Sequence, residues 1–269
     1  MSEDAVWRDE RLKQRVTFDR VAKTYDTARP AYPEELYEDV AAFAGLTAGD
    51  RILEVGCGSG QATAGFSKLG LPLLALDPGG ELLAIARRNL AGSDHVGFVE
   101  STFEAWPPEP GAFRLVASAQ AIHWVAPEIR FAKAAAALSP GGTLAVFGNV
   151  PKGVPEEVRA AIFGVYLAVA PAELLGNVAP ETWYLPSGPV AGLLAETPAF
   201  GPVEHRDYGW SIPQTAQSYR ALMTTKSYHQ ALPEPKRTAL LGGIEAAIAK
   251  VSDGFDFEYE THLYLAKAG

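Results

Sequence analysis

The chain has 269 residues, 48% of them hydrophobic, with 26 Gly, 20 Pro and a net charge of −9. At about 150 residues per domain this is one large domain or two small ones, and the composition excludes a disordered, collagenous or coiled-coil chain. Lys and Arg number 23 against 32 Asp and Glu. That is a poor match to a protein that grips a phosphate backbone, so no nucleic-acid partner is expected. The one cysteine, Cys57, excludes an internal disulfide and fits a reducing, cytoplasmic setting. Charges run through the first twenty residues, so no signal peptide is expected there. The longest uncharged run, Ala134 to Pro151, is broken by Pro140, Gly141 and Gly142. A membrane-spanning helix takes about 20 apolar residues, so none is expected.

Helix and strand signals alternate through the first half. Leu12, Val16, Val21, Ala22 and Tyr25 predict an amphipathic helix over residues 8–26. Pro33, followed by Glu34 and Glu35, opens a second helix that runs to about Ala44. Arg51-Ile-Leu-Glu-Val55 reads as a buried strand ending at glycines. A helix over 61–69, a strand over 71–76, a helix over 80–90, and strands over 96–99 and 113–118 follow. A helix over 128–138 and a strand over 143–148 complete this half. Such alternation predicts a parallel sheet covered on both faces.

The second half changes character. Prolines punctuate 151–187 around a helical stretch near 156–170, Val190 to Thr197 reads as a helix, and Val203 to Trp210 as a strand. Residues 214–250 return to helical spacing with breaks at Pro233, Pro235 and the Gly242-Gly243 pair. Phe255 to Ala266 is a last strand rich in β-formers. The two helical stretches interrupt what is otherwise one sheet, so they read as caps inserted into a single domain. The division is an N-terminal helical cap over 1–45, a core over 46–150, lid insertions over 151–187 and 213–252, and remaining core elements over 188–212 and 253–269.

The most informative segment is Leu53-Glu-Val-Gly-Cys-Gly-Ser-Gly60. A strand, closely spaced glycines and a helix let a ligand approach the backbone at the carboxyl end of the strand. Position 61 is Gln rather than the glycine of a dinucleotide fingerprint. Glu54 sits two places before Gly56, where a pyrophosphate would be repelled. A ligand lacking phosphates but carrying an amine suits the site better. Asp77 ends the next strand, placed to accept hydrogen bonds from two ribose hydroxyls.

In these pieces, taken in order, the sequence resembles the class I S-adenosylmethionine-dependent methyltransferases. Glu54 to Gly60 matches the family's glycine motif, and Asp77-Pro78 its ribose-binding acid. Phe98 to Trp106 matches the adenine segment, Phe113 to Trp124 the fourth-strand motif, and Leu138-Ser-Pro-Gly-Gly-Thr-Leu144 the approach to the fifth strand. Phe18 to Asp26, Arg29-Pro-Ala-Tyr-Pro33 and the His123-Trp124 pair are similar to the small-molecule group that includes trans-aconitate and ubiquinone-pathway methyltransferases. The fold so implied is α/β: a Rossmann-like, doubly wound, seven-stranded, mostly parallel sheet with helices on both faces and a helical cap built from insertions.

The resemblance implies S-adenosylmethionine as cofactor, S-adenosylhomocysteine as product and a small-molecule acceptor. Its cofactor-binding residues would be Tyr25, Arg29, Glu54, Gly56, Gly58, Gly60, Asp77, Pro78, Thr102, Phe103, Ala119 and Gln120. Arg29 would lie near the cofactor's carboxylate, and Glu54 would orient its amine through water. Thr102 stands where the family often has Asp, leaving the backbone at Phe103 to contact the adenine edge. Ala119 stands where an acid or Asn is frequent, so no carboxylate base is expected at that strand end.

Methyl transfer from a sulfonium is an in-line displacement served mainly by alignment and exclusion of water; positioning alone supplies about 7–11 kcal/mol. His123 is the candidate base, since its ordinary pKa suits the role, or it is a ring packed beside Trp124. Trp124, Tyr184, Tyr219 and Tyr228 either line an acceptor pocket or pack the lid onto the sheet. His205, His229 and His262 lack metal-ligand spacing, and no metal is expected. The alternative readings are an RNA or protein acceptor, a nicotinamide oxidoreductase, or a binding module without turnover. No assembly signal stands out.

Overall fold

A computed structural model describes residues 22–169 and 179–269. Most of the helix expected over 8–26, and residues 170–178 of the first insertion, lie outside the described residues. Seven strands form one sheet in the order β3-β2-β1-β4-β5-β7-β6. They are β1 (Ile52–Val55), β2 (Leu73–Asp77), β3 (Val96–Glu100), β4 (Phe113–Ala119), β5 (Leu138–Gly153), β6 (Glu204–Gln214) and β7 (Phe255–Lys267). Pairs from β3 through β5 are parallel, and β7 runs antiparallel to both β5 and β6. The α/β class, the strand number and the mostly parallel sheet are therefore as the sequence indicates.

The strand period of two sets the layers. Leu53, Val55, Leu76, Val116, Leu144 and Val146 face one way, against Phe131, Ala134, Tyr184 and Val190. Ile52, Leu73, Leu115, Ala117, Ala145 and Phe147 face the other, against Leu36, Tyr37, Val40 and Phe66. The covering helices in the first half are α1 (Ala22–Ala28), α2 (Glu34–Ala44), α3 (Gln61–Ser67), α4 (Gly80–Asn89) and α5 (Pro127–Ala137). Helix α2 starts after Pro33 with two acids in its first turn and stops at Gly45, whose φ of 61° ends the helix in the left-handed region.

Beyond β5 come α6 (Glu156–Val169), a 3-10 turn (Pro180–Tyr184) and α7 (Pro189–Ala195). Between β6 and β7 lie α8 (Ala216–Thr224), α9 (Ser227–Gln230) and α10 (Glu234–Ile248). A third cluster joins Val158 and Ile162 of α6 to Tyr219, Leu222 and Met223 of α8 and to Leu240, Leu241, Ile244 and Ile248 of α10. It also takes in Phe255, Phe257 and Tyr259, so the cap packs on the first half of β7 itself.

Three boundaries differ from the sequence reading. Strand β5 runs from Leu138 to Gly153 rather than over 143–148, because Leu138 pairs with Phe113 of β4 and β7 pairs along it as far as Gly153. Strand β6 continues past Trp210 to Gln214 for the same reason. The Gly242-Gly243 pair does not break α10, which runs unbroken from Glu234 to Ile248. A Cβ on Gly243 would meet Val165 Cγ1 at 2.7 Å, so this glycine lets α10 approach α6 closely. Pro233 and Pro235 occupy the helix start, where proline is tolerated.

Candidate active site

The carboxyl ends of β1, β2 and β4 open onto one pocket, roofed by α1, the 3-10 turn Pro180–Tyr184 and α9. Its empty volume is about 1150 Å³, open mouth included. After β1 the chain turns on Gly56, with φ of 76°, and its amide and that of Cys57 both donate to the carbonyl of Leu76, at 2.8 and 2.9 Å. A Cβ on Gly56 would stand 2.3 Å from Ala121 Cβ, so only glycine lets the loops after β1 and β4 meet. Gly58, with φ of 55°, has among the described residues only the Tyr25 ring edge near its missing Cβ, at 3.8 Å. The pocket wall here is bare backbone.

Asp77 fixes this loop. Its Oδ2 accepts from the Gly58 amide at 2.9 Å and its Oδ1 from the Gly79 amide at 2.8 Å. A carboxylate offers about four lone-pair sites, more than these two amides use. Glu54 is fully buried on β1 and lines the same pocket. Neither of its carboxylate oxygens has a hydrogen-bond partner of good geometry among the described residues. Burial pushes its carboxyl up to about 7, against a smaller pull from the Thr63 hydroxyl and with a further push from Asp77.

Most sequence-designated residues converge here: Tyr25, Arg29, Glu54, Gly56, Gly58, Asp77, Pro78, Thr102, Phe103, Ala119, Gln120, His123, Trp124 and Tyr228 all line the pocket. Three do not. Gly60 stands behind the loop, where its Cβ would press on Leu90 and Ala86 at 3.2 and 3.3 Å. Tyr219 is turned into the cap core against Phe255 and Phe257. Tyr184 lies fully buried against β5 at Gly148, its hydroxyl 2.9 Å from His123 Nδ1. The spacing of Tyr219, Leu222 and Met223 at i, i+3 and i+4 was the available signal for a core face.

His123 is buried in a 3-10 turn (Ile122–Trp124) among the rings of Trp124, Trp183 and Tyr184. Thr102 Oγ1 accepts from the Ala105 amide at 3.1 Å, capping the turn that follows β3. Gln120, with φ of 49°, accepts from Tyr32 and donates to the carbonyl of Asn149. Cys57 is buried beside the glycine loop, and burial pushes its thiol well up, which keeps it protonated.

The cap side contributes Thr225, Glu181 and Ser227, which sequence reading did not single out, around Arg29 and Lys226. Arg29 donates through Nε to Thr225 Oγ1 at 2.9 Å and through Nη2 to the Thr225 carbonyl at 3.0 Å. Glu181 pairs with buried Lys226 and has Arg29 Nη1 at 3.8 Å. Burial favours the neutral form of Glu181, but Lys226 and Arg29 outweigh it and hold the carboxyl at about 2. Tyr32, Glu181 and Ser227 join the lining. These residues come from three distant stretches of chain, and no local pattern marks them.

Comparison with known proteins places these features among methyltransferases. A family model described as a methyltransferase domain matches residues 52–142. An uncharacterized methyltransferase of Mycobacterium tuberculosis is 26% identical over 234 residues, covering 87% of this chain and 86% of its own. The ubiquinone biosynthesis O-methyltransferase of Xanthomonas campestris is 34% identical over 124 residues, or 45% of this chain and 51% of that protein. Among solved structures, a protein of Anaeromyxobacter dehalogenans provisionally assigned as a type II methyltransferase shares the fold. Its TM-score is 0.64 at 19% identity, covering 89% of this chain and 97% of that one.

Proposed function

We propose that the chain is a class I S-adenosylmethionine-dependent methyltransferase that methylates a small molecule held in the pocket beneath the cap. One observation carries the acceptor class. The pocket is roofed by α1, the 3-10 turn and α9, so its far wall is cap rather than open surface. A polymer would need an open, basic approach, and the chain carries a net charge of −9. The similarity of half the chain to an O-methyltransferase of ubiquinone biosynthesis supports the same reading.

The residues present fit the cofactor. The buried carboxylate at Glu54, with no hydrogen-bond partner of good geometry among the described residues, suits an ammonium group, and the bare backbone at Gly58 leaves room for a chain that a Cβ would crowd. When bound, S-adenosylmethionine supplies an electrophilic methyl group on a sulfonium. Asp77 would hold the ribose hydroxyls, with Pro78 beside it, and Ser101, Thr102 and Phe103 would border the adenine. Glu54, Tyr25 and Arg29 would bind the amino-acid end, although two of Arg29's nitrogens already serve Thr225. Ala119 and Gln120 at the end of β4, with Trp124 and Tyr228, would form the boundary between cofactor and acceptor. His123 would receive a proton only from acceptors that must lose one.

The N-terminal segment and the two insertions, 151–187 and 213–252, would act as the lid that excludes water from this space. The reducing environment that a lone buried cysteine tolerates supports a cytoplasmic setting. Among the described residues no helix is long and apolar enough to cross a membrane. The test is calorimetric titration with S-adenosylhomocysteine, followed by an acceptor screen that reads its release from S-adenosylmethionine. Saturable binding with turnover on a small acceptor is expected. Failure to bind would overturn the site, and turnover only on RNA or protein would overturn the acceptor class.

A further inference from the structure

Four buried polar atoms beside the glycine loop have no hydrogen-bond partner of good geometry among the described residues: both carboxylate oxygens of Glu54, Thr63 Oγ1 and Tyr37 Oη. The strand period brings them together. Glu54 shares a face of β1 with Ile52, and that face packs against Tyr37 and Phe66. Glu54 and Thr63 are fully enclosed, and Tyr37 is buried. The Glu54 carboxylate is therefore turned into the layer beneath α2 and α3, and it acts as a charge held just behind the pocket wall that Glu54 lines.

Two helices place the hydroxyls. Tyr37 on α2 reaches across α3 at Gly65, where a Cβ would run into the ring, so this glycine is what admits it. The ring also stands edge-on to Phe66, with centroids 5.0 Å apart. Burial, and after it the Glu54 charge, push the Tyr37 phenol far up, so its hydroxyl keeps its proton and can donate. A helical threonine often donates to the carbonyl one turn back, but the Thr63 hydroxyl makes no such bond. It instead pulls the Glu54 carboxyl down, against the larger push of burial and a smaller one from Asp77. Cys57 stays protonated and adds no charge. An ionised carboxylate offers about four lone-pair sites, and these two hydroxyls have only to rotate toward it.

We propose that Tyr37 and Thr63 are positioning residues whose hydroxyls donate to the ionised Glu54 carboxylate and hold its negative charge in place for the ammonium end of the cofactor. This rests on the reading of Glu54 as the counter-charge of that ammonium group. Neither Tyr37 nor Thr63 lines the pocket, so both act through Glu54.

The test follows the Glu54 carboxyl by its carbon-13 resonance in the free protein, the signal being the one lost in Glu54→Gln. Calorimetric titration with S-adenosylhomocysteine runs beside it over the same pH range. The Glu54 midpoint should rise by about one pH unit in Tyr37→Phe and likewise in Thr63→Val, the size of one hydrogen bond to a charged group. The rise of S-adenosylhomocysteine affinity with pH should move upward by the same amount, and its plateau should stay where it was, because neither hydroxyl meets the ligand. Thr63→Ser keeps the hydroxyl and should restore the wild-type midpoint. A packing role alone would lower the plateau or the stability and leave the midpoint unmoved. An unmoved midpoint in either variant, or a Thr63→Ser midpoint equal to that of Thr63→Val, would overturn the proposal. A midpoint that moves without the affinity profile following would overturn its link to the cofactor. Wild-type affinity that ignores the Glu54 midpoint, or no binding of S-adenosylhomocysteine at all, would instead overturn the ammonium reading, and the proposal would fall with it.

Discussion

The hydroxyl of Tyr32 donates to Gln120 Oε1 at 3.1 Å, fastening the segment after α1 to the residue that follows β4. Gln120 holds φ of 49°, and its amide donates to the Phe147 carbonyl at 2.9 Å. The Tyr32 ring stands edge-on to Phe147 with centroids 4.8 Å apart. From Asn149, Nδ2 donates to the Ala31 carbonyl, and Thr261 donates to Asn149 Oδ1 while accepting from Trp210 Nε1. The roof is therefore tied through polar side chains to β4, β5, β7 and β6. Tyr32→Phe keeps the ring and removes one partly buried hydrogen bond, so unfolding free energy should fall by about 1 kcal/mol. Urea unfolding with an unchanged slope would show this; a changed slope would mean the roof had come loose.

Asp77→Ala removes the acceptor for the Gly58 and Gly79 amides as well as the proposed ribose contact. Affinity for S-adenosylhomocysteine should drop by about ten- to hundredfold, the range for hydrogen bonds to a charged group. Calorimetry on the folded variant measures it directly. Unaltered affinity would mean that the ribose lies elsewhere.

Glu54 and Glu181 should give opposite slopes of stability against pH. With Glu54 at about 7 in the folded protein, above the ordinary carboxyl value, its stabilising contribution is complete at low pH. It is lost as pH rises from the unfolded value toward about 7. With Glu181 at about 2, its contribution is complete above the ordinary carboxyl value and is lost as pH falls toward about 2. Glu54→Gln should therefore flatten the decline in urea-derived stability between acid and neutral pH. A bound ammonium would favour the ionised form of Glu54, so S-adenosylhomocysteine affinity should rise as pH approaches and passes about 7. That rise should be absent in Glu54→Gln; an identical rise in the variant would detach Glu54 from the amine.

Gly56→Ala places a methyl group 2.3 Å from Ala121 Cβ at a residue with φ of 76°. Strain at such a backbone position costs on the order of 1–3 kcal/mol, and overpacking adds about as much again. Thermal melts should show the variant among the least stable single substitutions in the chain.

The cofactor half was legible because its determinants are local. One strand, its glycines and a helix are contiguous from Ile52 to Ser67, and Asp77 lies at the end of the next strand. The cap half was not. Arg29 meets Thr225 across 196 positions, and Lys226 meets Glu181 across 45, with no periodicity to announce either pair. Tyr219 and Tyr228 looked alike as aromatics in one helical stretch. A turn at Thr225 and Lys226 separates them, sending Tyr219 into the cap core and Tyr228 to the pocket. Tyr184 was read as a lid aromatic, yet its burial against His123 and Tyr264 depends on a fold-back that no local signal specifies.

The glycine pair of α10 offers a test that sequence alone would answer wrongly. Both glycines lower helix propensity, and alanine in a helix interior is favoured by about 1 kcal/mol over glycine. Local reasoning therefore predicts that both Gly242→Ala and Gly243→Ala stabilise. The structure separates them. A Cβ at Gly242 meets nothing within 4 Å, so that variant should gain about 0.5–1 kcal/mol. At Gly243 the added methyl would lie 2.7 Å from Val165 Cγ1 on α6, where overpacking costs about 1–3 kcal/mol and outweighs the propensity gain. The two variants should shift the urea midpoint in opposite directions. Because Val165 borders the cluster that joins α6, α8 and α10 to β7, the loss at Gly243 should loosen the cap first. Amide exchange should then quicken in α6 and α10 while β1 and β2 stay protected. Stabilisation of both variants alike would show that α6 and α10 do not make this close approach.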